Sequence, residues 1–144
     1  MQDKRLVTRL QNYWELIRRG KPMPEIAQFN QSTIDDLWQS CLKIEVNRVQ
    51  GGYNYTYKYM GSRLIQLFGK DLTGSSVDHN MARYPYKVLV TKLDEAMVAG
   101  RILVDENQFT NEKGKTIKYR SCFLPFGNEA KGITHFIIGL SDNG

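Results

Sequence analysis

Residues 53–74 have the sequence YNYTYKYMGSRLIQLFGKDLTG, and this stretch decides the fold of the chain. Tyrosine occupies every second position from Tyr53 to Tyr59, and side chains two residues apart in a β-strand lie on the same face. Gly61 ends the strand, and Ser62 can cap a helix whose apolar residues recur at helical spacing, namely Leu64, Leu67 and Phe68. Gly69 suits the left-handed conformation that closes a helix. We therefore predict a strand and a short helix that together can form the wall of a pocket.

Patterns typical of helices and strands follow one another along the rest of the chain. Ser32 and Asp35 resemble a capping box at the start of a short helix. Pro85 fits the first position of a longer helix that ends at Gly100. An amphipathic helix is predicted at residues 3–19. Four further strands are predicted at residues 41–47, 101–109, 116–126 and 132–140. This order predicts an α+β fold, a five-stranded antiparallel sheet with short helices between strands two and three.

Composition and charge limit the classes of function. The 144 residues carry a net charge of +5, and the basic residues are scattered without a recognised nucleic-acid motif, so the sequence disfavours a nucleic-acid partner. No apolar run approaches the roughly 20 residues that span a bilayer. The start, MQDKRLVTRL, lacks the apolar stretch of a secretory signal. We expect a cytoplasmic protein that has no membrane segment.

The residues that carry chemistry in enzymes and cofactor proteins form no recognised motif here. Cys41 and Cys122 match no metal spacing and are expected to be buried free thiols, and neither lies in the asparagine-cysteine setting of a flavin photosensor. His79 is expected to be an exposed loop residue rather than a haem ligand, and His135 is expected to point away from the core. No nucleophile elbow, zinc-protease motif or phosphate loop is present. The sequence therefore identifies no cofactor and favours a protein that is not an enzyme.

Several segments together resemble the PAS superfamily, and more closely a bacterial family of short stand-alone PAS-like proteins. The matching segments are Tyr13-Trp14, residues 20–24, Leu37-Trp38, residues 61–74, Leu124-Pro125 and residues 132–140. Residues 75–84 have no counterpart in that pattern. The resemblance implies a single PAS-like domain over residues 1–144, with an N-terminal helical extension at 1–22 and a PAS core at 40–141. It also implies a sensor or interaction module whose sheet and short helices enclose a small cavity.

The tyrosine strand and the helix after it supply the predicted ligand site. Its residues are Tyr57, Tyr59, Met60, Arg63, Leu64, Leu67, Phe68 and Met97. The alternative is that Tyr53 and Tyr55 lie near the strand end with their hydroxyls in solvent. Arg63 can bind an anionic group, or it can pair with Asp71 or hold the turn as a cap.

The apolar stripe of the N-terminal helix has two interpretations. It can pack on its own sheet, or it can form a homodimer interface through Leu6, Leu10, Trp14 and Ile17. In either case we predict a sensory or regulatory module that passes its output through this helix and the outer face of the sheet to a signalling partner such as a kinase. A ligand-free interaction adaptor is the alternative, and a nucleic-acid-associated regulator is a third, less favoured one.

Overall fold

The computed structural model describes residues 5–77, 86–110 and 113–142. Within these ranges the chain folds into four α-helices and five β-strands. The helices are α1 (Leu6–Ile17), α2 (Asp35–Trp38), α3 (Ser62–Phe68) and α4 (Tyr86–Ala99). The strands are β1 (Cys41–Val49), β2 (Gly52–Met60), β3 (Leu103–Thr110), β4 (Thr116–Asn128) and β5 (Gly132–Asp142). This order confirms the predicted succession of elements, whereas Pro85, His79 and most of segment 75–84 lie outside the described residues.

The five strands form one antiparallel sheet with the spatial order β2-β1-β5-β4-β3. The last strand in sequence, β5, therefore lies at the centre of the sheet, between β1 and β4. Because both faces of a central strand are covered, β5 is buried without interruption from Phe136 to Asp142 rather than at alternate positions. The predicted α+β fold is confirmed.

The inner face of the sheet, defined as the face that α3 and α4 cover, holds the larger core. Helix α3 contributes Leu64, and α4 contributes Val90, Leu93 and Ala96. From the sheet come the alternating residues that the sequence places on one face: Ile117, Tyr119, Phe123, Phe136, Ile138 and Leu140. The hydroxyl of Tyr55 donates to Asp94 Oδ1 at 2.5 Å and so joins β2 to α4.

The outer face of the sheet is covered by α1, α2 and the chain between them, which we call the cap (residues 6–38). Leu6, Leu10 and Trp14 of α1 pack against sheet residues that point to this side. Those sheet residues are Cys41, Cys122, Leu124, Phe126 and Ile137. The molecule therefore has three layers, with the cap and the α3–α4 pair on opposite faces of one sheet.

The link between α1 and α2 differs from the predicted capping box. Ser32 does not cap through Asp35; instead the Asn30 side chain accepts from the Ser32 backbone N–H at 3.0 Å and starts a short 3₁₀ helix, Gln31–Ile34. A reciprocal capping box does occur earlier, between Glu25 and Gln28. In the predicted capping box, the Asp35 side chain would accept from the Ser32 backbone N–H. Asn30, two residues earlier, accepts from that N–H instead, so the predicted pairing of Ser32 with Asp35 does not form.

Candidate functional site

A cavity of about 40 Å³ lies between the inner face of the sheet and the helices. Ten of the described residues line it: Leu42, Phe68, Leu89, Lys92, Asp105, Tyr119, Ser121, Phe123, Ile138 and Leu140. Most of these side chains are apolar, as in the concave sites that hold small molecules. A cavity needs about 10–15 Å³ of space open to the centre of a water-sized sphere to hold one water. The cavity therefore has room for about three waters or a molecule of a few heavy atoms.

The polar residues of this cavity lie together at one end. Asp105 of β3 and Ser121 of β4 are direct partners in the strand pairing, so their side chains project side by side from the sheet. Lys92 of α4 reaches the same place, with its Nζ 3.6 Å from Asp105 Oδ1. The opposite end is formed by Leu42 and Ile138, which are also strand partners. The cavity therefore has one apolar end and one polar end.

The predicted ligand site overlaps this cavity only in part. Of the predicted residues, only Phe68 lines it. Tyr57, Met60 and Leu64 are buried in the inner-face core beside it, and the partly buried Leu67 and Met97 pack against that core. The residues that were missed come from β3, β4, β5 and α4. Their only sequence signal is the alternation in the strands, which marks a covered face without showing where a space remains.

The predicted shared face of the tyrosines is wrong for Tyr59. In the β1–β2 pairing Lys43 lies opposite Tyr59 but Ile44 lies opposite Tyr57, so Lys58 is an extra residue and forms a β-bulge. Because one extra residue reverses the alternation, Tyr59 points to the outer face. There its ring stacks on Trp38, with centroids 4.3 Å apart, and its hydroxyl donates to the Trp38 carbonyl at 3.1 Å. Burial raises the pKa of Tyr59.

Arg63 is paired within the chain, but not with Asp71. Its Nη2 lies 2.8 Å from Oδ1 of Asp142, a carboxylate that is 5% exposed near the end of β5. Asp71 instead accepts from the backbone N–H and hydroxyl of Thr73, which lowers the pKa of Asp71. The positive charge of Arg63 is thus neutralised by a buried partner, which argues against its predicted role as an anion-binding group.

Replacing Arg63 with methionine is expected to lower the free energy of unfolding by about 2 kcal/mol, because Asp142 would remain buried without its cation. This value is below the full cost of breaking a buried pair since the Arg63 side chain is one-third exposed. Urea unfolding measures the loss. The matched control is Arg9→Met, which removes the exposed pair with Asp36 and should cost well under 1 kcal/mol. Equal losses in the two variants would contradict the assigned role of Asp142.

The cap sits on the outer face at a glycine of the central strand. Gly139 lies opposite both Cys41 and Cys122, and a Cβ atom built on Gly139 would be 2.2 Å from Leu10 Cδ1 and 2.9 Å from Leu6 Cδ2. Absence of a side chain at Gly139 therefore creates the hollow that receives α1. The Trp14 indole adds a buried hydrogen bond from Nε1 to the Pro125 carbonyl at 2.8 Å.

This arrangement corrects the predicted homodimer interface. Leu6, Leu10 and Trp14 are at most 5% exposed, and Ile17 is partly buried against the same core. A side chain that is covered by its own sheet cannot at the same time contact a second chain. Of the two interpretations of the helix, packing on its own sheet is the one found in this structure.

The two thiols lie beneath the cap, as expected for buried free cysteines. Cys41 Sγ is 3.4 Å from the Leu37 carbonyl, which accepts its weak hydrogen bond. Burial raises the pKa of Cys122 to about 12 and also raises that of Cys41. Because the thiolate is the reactive form, both sulfurs are expected to be inert while the cap is in place.

His135 lies on the opposite face from Phe136, as expected from its place in the strand. It is partly buried, with Nε2 4.0 Å from Glu45 Oε2, and burial followed by the nearby Lys43 lowers the pKa of the imidazole. Within the described ranges, no group of histidine, cysteine and acidic residues could hold a metal ion. In the same part of the chain, no helix is long and apolar enough to cross a membrane.

The fold is the PAS fold, as comparison with solved structures shows. The structure superimposes on the PAS domain of the fruit-fly ELK potassium channel with a TM-score of 0.51 and 15% identity, over 78% of this chain and 93% of that one. Against the light state of the Aureochrome1 light-oxygen-voltage (LOV) domain, the TM-score is 0.53 at 12% identity, over 78% and 88% of the two chains. Against a LOV domain studied with a flavin analogue, the TM-score is 0.55 at 11% sequence identity, and the match covers 78% of this chain and 85% of that one.

These similarities concern the fold alone. No protein-family model matches the sequence, and no curated protein matches it either. Identities of 11% and 15% are compatible with unrelated functions on a shared fold. The shared fold therefore assigns no function to this chain.

The residues present do not fit the flavin named for one of these structures. Flavin-sized ligands occupy pockets of roughly 300–1,000 Å³, far above the 40 Å³ found here. Cys41 and Cys122 also face the outer side of the sheet, away from the cavity. A flavin therefore does not fit the inner-face cavity as these residues form it.

Proposed function

We propose that this protein is a sensory or regulatory PAS module, in which a small ligand in the inner-face cavity changes how the cap sits on the outer face. The observation that carries the proposal is a run of three residues in β5. Ile138 and Leu140 line the cavity, and Gly139 between them receives Leu10 of the cap. A shift of β5 would therefore change both the shape of the cavity on the inner face and the packing of Leu10 on the outer face.

The mechanism requires two positions of the cap whose populations the ligand changes. A ligand biases such an equilibrium only by binding one state better than the other. A molecule that fits the cavity and presses on Ile138 and Leu140 would move Gly139 against Leu10. The direction of the change, tighter or looser, depends on which position of β5 the ligand prefers.

The remaining features of the proposal concern the setting of this module. We infer that it acts in the cytoplasm, without enzymatic activity, and passes its output to a signalling partner such as a kinase or to a second copy of itself. Kinship with the bacterial family of short stand-alone PAS-like proteins would fit this role. A homodimer would use a surface other than the apolar stripe of α1, because that stripe is covered.

Coupling between the two faces can be tested by filling the cavity. The Ser121→Val variant puts a larger, apolar side chain into the cavity. It is expected to change the hydrogen-exchange rates of the α1 amides by at least about threefold relative to the wild type, since the strain acts through β5. Thr116→Val is the matched control, because Thr116 is exposed near the start of the same strand. Exchange in α1 that follows only the global stability of each variant would sink the proposal.

A ligand-free interaction adaptor is the second candidate, and the small size of the cavity favours it. Native mass spectrometry of freshly purified protein separates the two candidates. Additional mass that is lost on denaturation indicates a bound small molecule, as a sensor requires. A bare polypeptide mass, together with unchanged α1 exchange in Ser121→Val, would favour the adaptor.

A further inference from the structure

We propose that the inner-face cavity binds a short-chain primary amine, with its ammonium group at Asp105 and Ser121 and its apolar body toward Leu42 and Ile138. This inference rests on the proposed function in one respect, namely that the cavity is a ligand site. It adds the chemical class of the ligand, which follows from the polar end of the cavity.

Two polar side chains at this end have no hydrogen-bond partner among the described residues. Ser121, which carries the first of these groups, is only 3% exposed, and it lines the cavity. The Asp105 carboxylate, about three-quarters buried, has only Lys92 Nζ nearby at 3.6 Å. At this distance Lys92 and Asp105 form an ion pair, but the two atoms are too far apart for a hydrogen bond. A buried polar group without a partner is costly, so a donor entering the cavity would be stabilised here.

The balance of charge around the site favours a cationic donor. Lys92 is shared between two carboxylates, Asp105 and Glu95, with its Nζ 3.6 Å from each. Among the described side chains at this end, one positive charge therefore faces two negative ones. A ligand ammonium would bring a second positive charge, and its N–H groups could reach both Asp105 and Ser121.

The size and lining of the cavity limit the rest of the ligand. Beyond the polar end, the lining is aliphatic and aromatic, with Leu42 and Ile138 at the far side. About 40 Å³ holds only a few heavy atoms, so a branched body of three carbons fits better than an aromatic ring. The apolar body gains from leaving water, while the ammonium finds its partners at the opposite end.

The test is a titration with isopropylamine followed by amide NMR, with isopropanol as a neutral molecule of the same shape. Saturable shifts are expected at the amides of Asp105, Ser121 and Lys92, and isopropanol should bind at least about tenfold more weakly. Benzylamine, which has the same head and a larger body, should bind more weakly than isopropylamine. Absence of saturable shifts at these amides, or equal binding of the alcohol, would overturn the proposal.

Two variants identify the carboxylate that is responsible. Asp105→Asn is expected to weaken isopropylamine binding at least about tenfold. Its amide spectrum should otherwise remain that of the folded protein. Glu106→Gln is the matched control and should bind normally, because the adjacent Glu106 is largely exposed and pairs with Arg120. An equal loss in both variants would show a general charge effect and refute the site. If Asp105→Asn does not fold, Ser121→Ala replaces it, with a smaller but measurable loss expected.

The same samples distinguish this inference from the proposed function. If isopropylamine binds at the predicted residues but leaves α1 exchange unchanged, the ligand class stands and the coupling to the cap fails. If α1 exchange responds to Ser121→Val but no amine binds, the coupling stands and the ligand class fails.

Discussion

The Trp14→Ala variant is expected to lose about 3–5 kcal/mol of its free energy of unfolding, the usual range for deleting a large buried aromatic side chain. Trp14 is 5% exposed in the outer-face core, where its ring is packed between α1 and the sheet. Its indole N–H donates to the Pro125 carbonyl at 2.8 Å in a buried setting. Alanine at this position removes the packing and leaves that carbonyl without its donor.

Thiol labelling shows whether the loss is local to the cap or global. Cys41 and Cys122 are shielded by the cap, so their reaction with a thiol reagent reports its opening. In Trp14→Ala, labelling under native conditions is expected to become faster than global unfolding alone allows. Leu16→Ala is the matched control, because Leu16 is on the same helix but exposed, and it should change neither stability nor labelling appreciably. Similar behaviour of the two variants would show that the cap is not held by Trp14.

Much of the fold was predictable from local patterns. The end of α3 at Gly69, the β1–β2 hairpin and the alternation in β4 and β5 each follow from short-range rules, and the structure confirms them. Gly69 has a φ of 87°, a conformation that glycine adopts without the strain other residues incur. These features depend on neighbours in sequence, which is why a single chain reveals them.

The Tyr59 error shows what a strict period of two cannot predict. A β-bulge at Lys58 has no residue type that demands it, and it depends on how β2 pairs with β1. Trp38, which receives the Tyr59 ring, lies 21 residues earlier in the sequence. The stacked pair is a result of tertiary packing, so the repeated tyrosines alone suggested the wrong face.

The candidate site was predictable only at one wall. Phe68 follows from the helical spacing in α3, but Asp105, Ser121 and Lys92 meet through the register of β3 with β4 and the position of α4. Each of the three, taken alone, resembles an ordinary surface residue. Similarly, the width of the α1 stripe could not show whether it meets its own sheet or another chain, because both would bury the same residues.

Replacing Gly61 with alanine is expected to cost about 3 kcal/mol, near the upper end of the penalties for overpacking. The reason is space and not conformation, since φ of −65° and ψ of 148° at Gly61 are open to any residue. A Cβ atom there would be 2.1 Å from the Gln39 carbonyl oxygen and 2.4 Å from its carbon. That carbonyl is held in place by the Arg63 backbone N–H at 3.0 Å, and the Gly61 N–H is bonded to the Cys41 carbonyl.

The clash at Gly61 therefore involves backbone that cannot move without breaking hydrogen bonds, unlike a contact with a flexible side chain. Urea unfolding should show a lower midpoint with an unchanged slope, since the fold is kept but strained. Gly69→Ala is the informative comparison, because its φ is positive but no atom lies within 4 Å of the added Cβ. Its cost should be about 1–2 kcal/mol, from backbone strain alone. If Gly61→Ala costs no more than Gly69→Ala, then the turn between β2 and α3 is more adaptable than the contact with Gln39 implies.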